Sequence, residues 1–329
     1  MKICVVGAGA IGGLLAVKLS NTGEDVTVID QGAHLEAIQR DGLKLIMADG
    51  SEHRAALDAR GGMEGVGEQD LVILAVKAQV LPAVAPGVRG MLGPGTMVVP
   101  VQNGLPWWYF EKHGGPFAGH RLQSLDPDGV LADNIPVDNI VGTVTFPAGE
   151  IAAPGVVRHT EGNRFPIGEL DGSRTERAQQ LVDTLTRAGF KSFVIEDIRA
   201  EMWLKLWGNL SFNPISALTR ATLVDICQYP LTHQLARALM EEAQEVAGKL
   251  GITFRVGIER RIAGAERVGA HKTSMLQDVE AGRSLEIDAI IGVVSELGQL
   301  VGVPTPSVDA IQALVALLDE GVRGGRSRD

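Results

Sequence analysis

The segment KICVVGAGAIGG, residues 2–13, decides the fold of this chain. An apolar run typical of a strand leads directly into GxGxxG, and a helical pattern follows. In that setting Gly7 permits a tight turn, Gly9 lets the backbone approach a pyrophosphate, and Gly12 lets helix and strand pack closely. The helix N-terminus adds unpaired N–H groups for the phosphates. The segment therefore predicts a Rossmann-type dinucleotide site formed by Gly7, Ala8, Gly9, Ala10, Ile11 and Gly12.

The residue that ends the second predicted strand, Asp30, bears on the choice of cofactor. An acid at this point accepts hydrogen bonds from the adenosine ribose and repels a 2′-phosphate, so it favours NADH over NADPH. Gln31 follows it, and no arginine occurs before Arg40. The alternative is that Asp30 only caps the helix predicted over residues 33–40.

Two further apolar runs, residues 70–76 and 97–101, have the composition of parallel strands that are covered on both faces. Lys77 follows the first run, and Asn103 lies just after the second. In a doubly wound sheet, ligands bind at the carboxyl ends of the strands, so both residues are expected to face the same crevice as the glycine loop. Polar residues at strand ends are also common as turn formers, which is the alternative for each.

The pattern of the chain changes near Asp197. Strands and helices alternate before this residue, and the sequence is helical almost throughout after it. We therefore predict an α/β fold with a dinucleotide-binding domain over residues 1–197, followed by an all-helical domain over residues 198–329 that brings the reactive groups to the cofactor. The tail, residues 321–329, is glycine-rich and charged, and we expect it to be disordered.

The composition favours a function with small molecules. The formal charge is -10, from 30 basic and 40 acidic residues, whereas affinity for nucleic acid comes from clustered Lys and Arg. Cys4 and Cys227 lie far apart, and neither they nor the seven histidines have the spacing of metal ligands, so no metal is expected. No run approaches about 18 apolar residues and the N-terminus is too rich in glycine for a signal peptide, so we expect a cytoplasmic protein without membrane contact.

The stretch EMWLKLWGNLSFNP, residues 201–214, carries the predicted chemistry. Lys205, Asn209 and Asn213 recur every four positions, so on a helix they form one polar stripe in an apolar setting. A buried lysine must find partners or lose its proton, and amides can orient a small polar ligand beside it. Pro214 is expected to kink the end of this helix. The alternative for Lys205 is a surface lysine whose stem covers apolar neighbours.

A second informative stretch is HKTSMLQDVEAGRSLEID, residues 271–288. As one helix it would place Ser274 and Glu286 about 18 Å apart, too far to share one small ligand. Gly282 predicts a break, after which Glu286 would lie in the first turn of a new helix and face the crevice. Taken singly, Ser274 could be an N-cap and Glu286 a favourable first-turn acid.

Together these segments resemble the ketopantoate reductase (2-dehydropantoate 2-reductase) family over nearly the whole chain. The resemblance rests on an ordered set of motifs, namely Gly7 to Gly12, Lys77, Gln102-Asn103-Gly104, Lys205 with Asn209 and Asn213-Pro214, Ser274 to Asp278, and Glu286 to Asp288. It implies an N-terminal Rossmann-type domain followed by an all-helical domain of the 6-phosphogluconate dehydrogenase C-terminal type. A homodimer is a fold-level expectation.

The resemblance also implies an activity, the reduction of ketopantoate to pantoate by NAD(P)H in pantothenate and coenzyme A biosynthesis. Hydride transfer to the 2-oxo carbon builds negative charge on the carbonyl oxygen, which a positioned ammonium can stabilise and protonate. By resemblance, Lys205 is the proton donor and Glu286 its catalytic partner. The substrate-binding residues are then Asn103, Asn209, Asn213 and Ser274, and the cofactor contacts outside the glycine loop are Asp30, Lys77, Asn103 and Glu286.

Two positions depart from the family pattern. Most members favour NADPH and have an arginine just after the second strand, where this chain has Asp30 and Gln31. Some members have a further asparagine where this chain has Leu223. The alternatives are therefore an NAD-dependent 2-hydroxyacid dehydrogenase for another branched or aromatic 2-oxo acid, or a dinucleotide-sensing protein without catalysis. The aromatic cluster of residues 107–110 would suit a bulkier substrate, or else form a core or subunit contact.

Overall fold

The computed structural model describes residues 1–324, and the chain divides into two compact units. The first unit consists of Met1–Gln102, Pro106–Arg121 and Asp126–Ile198, and the second of Asn103–Leu105, Leu122–Leu125 and the chain from Arg199 onward. Two short segments from the N-terminal half of the sequence therefore belong to the second unit. The predicted division into a dinucleotide-binding domain over residues 1–197 and a helical domain over residues 198–329 stays a prediction.

The first unit contains strands and helices in alternation. Its strands are β1 (Lys2–Val6), β2 (Asp25–Ile29), β3 (Leu43–Ile46), β4 (Glu52–Ala55), β5 (Asp58–Arg60), β6 (Leu71–Leu74), β7 (Met97–Pro100), β8 (Gly142–Thr143), β9 (Ala148–Ala153), β10 (Val156–Glu161), β11 (Arg164–Gly168) and β12 (Lys191–Val194). Its helices are α1 (Ala10–Ser20), α2 (Gly32–Asp41), α3 (Leu81–Val88), α4 (Val130–Asn134) and α5 (Glu176–Arg187).

A parallel sheet with the strand order β5-β2-β1-β6-β7 forms the centre of the first unit. Numbered along the chain within this sheet, the order is 3-2-1-4-5, the arrangement on which Rossmann folds are built. The prediction of a Rossmann-type N-terminal part is confirmed. Strand β1 lies in the middle, and the glycine loop of residues 7–9 leads from its carboxyl end into α1. Two smaller sheets, β4-β3-β10-β9 and β12-β11-β8, complete the unit.

Helix α1 is apolar on nearly every side because it is covered on both faces. The helix packs on β1 and β2 on one side and on β10 on the other. A Cβ atom added to Gly13 would lie 2.7 Å from the side chain of Val157, so the contact with β10 is close. Burial of each large apolar side chain contributes roughly 1.5–3 kcal/mol. The core therefore fixes the helix whose N-terminus borders the glycine loop.

The second unit is helical, as predicted for the C-terminal part of the chain. Its helices are α6 (Ile198–Thr219), α7 (Leu223–Gln228), α8 (Pro230–Lys249), α9 (Ile258–Val268), α10 (Ser274–Glu280), α11 (Val293–Val301) and α12 (Pro306–Arg323). A π-helical segment, Asp288–Gly292, directly precedes α11.

The C-terminal tail is ordered further than its composition suggests. The disorder predicted from residue 321 onward is wrong at its start, because α12 extends to Arg323. Residues 325–329 lie outside the described part of the chain. Within residues 1–324, none of the helices has both the length and the apolar character that crossing a membrane requires.

Candidate active site

The glycine loop has the packing that GxGxxG predicts. Gly7 has a φ of +96°, and a Cβ atom there would lie 2.9 Å from the backbone nitrogen of Val76. A Cβ atom on Gly12 would lie 1.8 Å from the carbonyl oxygen of Gly7, so only glycine lets α1 approach the loop this closely. A Cβ atom on Gly9 would have no neighbouring atom within 4 Å. This open backbone, together with the start of α1 that no side chain caps, leaves room and N–H groups for a phosphate.

Asp30 is hydrogen-bonded to the glycine loop. Its Oδ2 accepts a hydrogen bond from the N–H of Ala8 at 2.7 Å, and its Oδ1 accepts one from the N–H of Gln31 at 2.7 Å. Helix α2 begins at Gly32 without a side-chain cap, so the alternative that Asp30 only caps this helix is wrong. Each carboxylate oxygen keeps a lone pair that a ribose hydroxyl can use.

His34 supports the glycine loop, a role that the sequence does not indicate. The N–H of Gly155 donates to Nδ1 at 3.1 Å, and Nε2 lies 3.0 Å from the carbonyl oxygen of Ala8. Because Nδ1 accepts, the ring is neutral and its Nε2–H donates to Ala8. No local pattern signals this contact, since His34 and Gly155 are 121 residues apart.

Lys77 lies at the same edge of the parallel sheet as the glycine loop. It follows β6, which pairs with β1, and it precedes the short 3-10 turn Ala78–Val80. Gln102, which follows β7, donates from Nε2 to the carbonyl oxygens of Leu74 at 2.6 Å and of Val76 at 2.8 Å. These two bonds fix the backbone that leads to Lys77. The first unit thus groups the glycine loop, Asp30 and Lys77 at one edge of its sheet.

Helix α6 carries Lys205 and is anchored by the flank opposite to it. Trp203 and Trp207 are fully buried, and the indole N–H of Trp207 donates to the carbonyl oxygen of Met240 at 2.7 Å. Trp207 also stacks on Phe254 with ring centroids 4.2 Å apart. The tryptophans fix one flank of the helix in the core, which orients the polar stripe on the other flank. The helix continues through its proline to Thr219, and the kink expected there stays a prediction.

Three of the predicted residues come together in the second unit. Nζ of Lys205 donates to Oδ1 of Asn103 at 2.7 Å. Nδ2 of Asn103 donates to Oε2 of Glu286 at 3.1 Å. The amide therefore turns its oxygen to the ammonium and its nitrogen to the carboxylate, which leaves one orientation for Asn103. We refer to these three residues as the lysine network.

Burial and the charge of Glu286 have opposite effects on the acidity of Lys205. Burial lowers the pKa of Lys205 to about 8, and the negative charge of Glu286 opposes part of this shift. An ammonium with such a pKa is protonated at neutral pH and still gives up its proton readily, which suits a general acid. A lysine held in this way is not the exposed surface lysine of the alternative interpretation.

Asn103 is held in place by the residues that follow it. The N–H of Leu105 donates to the carbonyl oxygen of Ala289 at 2.9 Å. Ala289 lies in the π-helical segment, where the wider turn shifts the helical hydrogen-bond pattern. Gly104 has a φ of +86°, and a Cβ atom there would lie 1.9 Å from the same oxygen of Ala289. Only glycine therefore fits between Asn103 and this helix.

Glu286 is placed by a break in the helix, as the sequence predicts. Helix α10 ends at Glu280, and Gly282 has a φ of +65°. Glu286 lies in the non-helical segment immediately before the next helix, which begins at Ile287, and not in its first turn. The N–H of the preceding Leu285 donates to Oδ1 of the buried Asp319 at 2.8 Å, which fixes the backbone beside Glu286.

The other predicted substrate residues lie outside the lysine network. Within residues 1–324, no side-chain hydrogen bond joins Asn209, Asn213 or Ser274 to it. Nδ2 of Asn213 is buried without a partner, which leaves a donor unused on the same helix as Lys205. Ser274 is exposed in the first turn of α10, and the N-cap is Thr273, whose hydroxyl accepts from the N–H of Leu276 at 3.3 Å. The substrate-binding roles of these three residues stay predictions.

The aromatic cluster of residues 107–110 is part of the core of the first unit. All four side chains are buried, with exposed fractions of 7% or less. Tyr109 and Phe110 make an edge-to-face contact with ring centroids 4.9 Å apart. Across the described part of the chain, there is no group of His, Cys, Asp and Glu side chains suited to holding a metal ion.

Comparison with known proteins agrees with this arrangement. The sequence profile of ketopantoate reductase PanE/ApbA matches residues 3–172, and that of ketopantoate reductase PanE/ApbA C terminal matches residues 197–319. The 2-dehydropantoate 2-reductase of Mesorhizobium japonicum is 51% identical over 319 residues, which are 97% of this chain and 98% of that protein. A candidate ketopantoate reductase from Ralstonia solanacearum MolK2 has a crystal structure that matches with a TM-score of 0.93 at 41% identity, covering 98% of both chains.

A more distant structure shares the fold alone. D-mandelate dehydrogenase in its ternary structure with NADH and anilino(oxo)acetate matches with a TM-score of 0.84 at 24% identity, covering 98% of this chain and 99% of that one.

A Rossmann-type unit with a glycine loop, followed by a helical unit, is the architecture of a class of dinucleotide-dependent oxidoreductases. The two profiles cover most of the chain, and the relative from Mesorhizobium japonicum matches nearly all of it. This chain belongs to the ketopantoate reductase family.

Proposed function

We propose that this chain catalyses the reduction of 2-dehydropantoate (ketopantoate) to pantoate by NAD(P)H, a step of pantothenate and coenzyme A biosynthesis. The observation that carries the proposal is the lysine network, in which the Lys205 ammonium donates to Asn103 at 2.7 Å and Asn103 donates to Glu286 at 3.1 Å. The name of the 51% identical relative, 2-dehydropantoate 2-reductase, supports the same activity.

Lys205 is the proposed general acid. Bound NAD(P)H supplies the hydride for the 2-oxo carbon. Negative charge then grows on the carbonyl oxygen, and the Lys205 ammonium stabilises this charge before transferring one proton to it. One hydride and one proton convert the 2-oxo acid to the 2-hydroxy acid, and the neutral amine of Lys205 regains its proton from solvent.

Burial and Glu286 set the protonation of Lys205, and Asn103 orients its ammonium. Glu286 favours the charged form of the amine across the amide of Asn103, while burial favours the neutral form. We assign the hydroxyl and carboxylate groups of the substrate to Asn209, Asn213 and Ser274, because amides and a hydroxyl can bind them without adding charge. The unused donor of Asn213 is consistent with such a role.

For the cofactor, we infer that the glycine loop binds the pyrophosphate and that Asp30 binds the adenosine ribose. The carboxylate of Asp30 accepts from the N–H of Ala8, so a 2′-phosphate placed at this ribose would meet a negative charge beside the loop. NADH is therefore the proposed cofactor, although arginine and NADPH are the family norm. Lys77, at the same edge of the sheet, is a further candidate contact for the cofactor.

A second candidate function is an NAD-dependent 2-hydroxyacid dehydrogenase for another 2-oxo acid. Leu223, at the start of α7, favours it, because an apolar side chain replaces an amide that could bind a substrate hydroxyl. The buried aromatic cluster of residues 107–110 gives it no support, since those side chains belong to the core. A dinucleotide sensor without catalysis is a third candidate, which a lysine with a pKa of about 8 does not favour.

One assay separates these candidates. The loss of nicotinamide absorbance is followed with NADH and with NADPH, first with ketopantoate and then with larger 2-oxo acids that lack a hydroxyl. Fast turnover of ketopantoate supports the proposal, and faster turnover of a larger acid supports the second candidate. Cofactor binding without turnover of any 2-oxo acid contradicts both and favours the sensor.

We further propose a cytoplasmic homodimer. Exposed apolar side chains on the second unit favour self-association, among them Tyr229 with 57% and Leu231 with 64% of its surface exposed. Two free, buried cysteines fit a reducing compartment. Sedimentation of the purified protein measures the oligomeric state.

A further inference from the structure

Arg261, on α9, is a half-buried cation without a counter-charge among the described residues. Its Nε is buried and has no hydrogen-bond partner. Among residues 1–324, the guanidinium forms no ion pair, whereas Arg237 and Arg255 of the same unit pair with Glu241 and Glu201. Burial lowers the pKa of Arg261 below its usual range, which shows that its charge is poorly compensated. A partly desolvated charge without a partner is destabilising, and an anion bound beside it would offset this cost.

The guanidinium of Arg261 lies against Gly208 of helix α6. A Cβ atom on Gly208 would lie 2.0 Å from Nη2 of Arg261, so any larger residue would displace the guanidinium. Gly208 is buried and is not in a left-handed conformation, so the backbone does not require glycine there. The glycine therefore makes space for the arginine.

The position of Gly208 links Arg261 to the proposed substrate residues. Gly208 is three residues after Lys205, and residues three or four apart are neighbours on a helix surface. Gly208 therefore adjoins Lys205, the first residue of the polar stripe, and the planar guanidinium packed against it has donors suited to a two-pronged hydrogen bond to a carboxylate. The other proposed substrate groups on this helix, apart from Lys205, are neutral amides.

We propose that Arg261 binds a carboxylate of the substrate, an inference that rests on the proposed reduction of a 2-oxo acid. Lys205 then acts on the carbonyl oxygen while Arg261 holds an acidic group and orients the molecule. The acidic group is either the carboxylate next to the 2-oxo carbon or a second, distant carboxylate. Because this contact is the same before and during hydride transfer, it contributes to substrate binding and not to the chemical step.

The test is steady-state kinetics of Arg261→Gln and Arg261→Lys with ketopantoate and with a 2-oxo dicarboxylic acid such as 2-oxoglutarate. We expect Arg261→Gln to raise KM by roughly tenfold to a hundredfold, the range of a charge-assisted hydrogen bond, with little change in kcat. Arg261→Lys keeps the charge without the planar geometry and should recover part of the loss. A raised KM for ketopantoate indicates the neighbouring carboxylate, and a raised KM for the dicarboxylic acid alone indicates the distant one.

Two further variants distinguish loss of substrate binding from a general structural disturbance. Arg260→Gln alters the exposed neighbour of Arg261 on the same helix and should leave KM unchanged. Gly208→Ala keeps the charge but displaces the guanidinium, so it should raise KM, as Arg261→Gln does. A fluorescence titration with NADH should give the same Kd for all variants, since the glycine loop is intact in each.

The outcomes separate this inference from the proposed function. If the wild-type protein turns over no 2-oxo acid, the proposed function fails, and the inference that rests on it fails too. If the wild-type protein is active but Arg261→Gln keeps the wild-type KM for both acids, or loses kcat without a change in KM, Arg261 does not bind a substrate carboxylate and the proposed function stands.

Discussion

The Asn103 amide bonds both the Lys205 ammonium and the Glu286 carboxylate, in a site where burial has the largest effect on the acidity of the lysine. The negative charge of Glu286 raises the pKa of Lys205, but it opposes the effect of burial only in part. Desolvation therefore dominates, and the pKa of Lys205 falls to about 8 instead of rising above that of a free lysine. Burial, opposed in part by Glu286, thus adjusts the pKa of the proton donor to neutral pH.

The first prediction at this scale concerns pH. Because Lys205 donates as an ammonium, kcat/KM for the reduction of a 2-oxo acid should be constant at neutral pH and fall about tenfold per unit above the pKa of about 8. Glu286→Gln removes the charge that raises the pKa, so its decline should begin at a lower pH. A pH profile of kcat/KM for the two proteins gives the measurement, and a Glu286→Gln profile shifted to higher pH would contradict the assignment.

The second prediction concerns Asp30 and the cofactor. Asp30→Asn keeps an oxygen that can accept from Ala8 but removes the negative charge. We expect the ratio of kcat/KM for NADPH to that for NADH to rise by roughly tenfold, the effect of about 1.4 kcal/mol of lost repulsion. Initial rates at several concentrations of each cofactor give this ratio. An unchanged ratio would mean that the charge of Asp30 does not act on the 2′-phosphate of NADPH.

At the scale of elements, the site depends on where a helix is interrupted. The break after α10 frees Glu286 from the helix, and the π-helical segment after Ile287 presents the carbonyl oxygen of Ala289 to Leu105. Asn103 is consequently fixed by a backbone contact two residues further along the chain. The sequence predicts the break through Gly282, whose φ is +65°. It does not predict the π turn, because the partner of Ala289 is distant in the sequence.

Gly104→Ala tests this contact. The new Cβ would lie 1.9 Å from the oxygen of Ala289 at a φ of +86°, so the segment that carries Asn103 must move. We expect a loss of stability of about 3 kcal/mol or more and a fall in kcat, because the partner of Lys205 is displaced.

The control is Gly302→Ala in the same unit, which has a φ of +72° but no neighbouring atom near the added Cβ. It should lose only about 1 kcal/mol, the effect of the backbone conformation alone, and keep its kcat. Urea unfolding and steady-state rates measure both properties. Equal losses in the two variants would show that the contact with Ala289 does not matter.

For the molecule as a whole, the local sequence pattern predicts the architecture. It does not predict contacts between segments that are distant in the sequence. GxGxxG after β1, the apolar strands and the helical C-terminal part are all visible in the sequence, because each follows from short-range periodicity. The place of the segment Leu122–Leu125 in the helical unit is not visible in the sequence. There, Glu296 accepts hydrogen bonds from the N–H groups of Gln123 and Ser124 at 2.6 and 2.8 Å. Such bonds join residues more than 170 positions apart and have no local signature.

The same limit applies to the candidate site. The polar spacing on an apolar helix singled out Lys205 and the end of a strand singled out Asn103, but their grouping with Glu286 was implied by the resemblance to the family. The supports of the site were not predictable, because His34, Asp319 and Arg261 each act through a partner on another element. Resemblance to a family indicates which residues to examine, and the three-dimensional contacts indicate which groups hold them.

The most direct test is the rate of NADH oxidation with saturating ketopantoate, measured for the wild-type protein and for Lys205→Met under identical conditions. Methionine keeps the unbranched apolar stem but cannot donate a proton. We expect ketopantoate-dependent oxidation by the wild-type protein and a fall in kcat of about 10²–10⁴ in the variant, with an unchanged Kd for NADH. Equal rates for the two proteins would remove Lys205 from the mechanism, and no oxidation by the wild-type protein with either NADH or NADPH would refute the proposed activity.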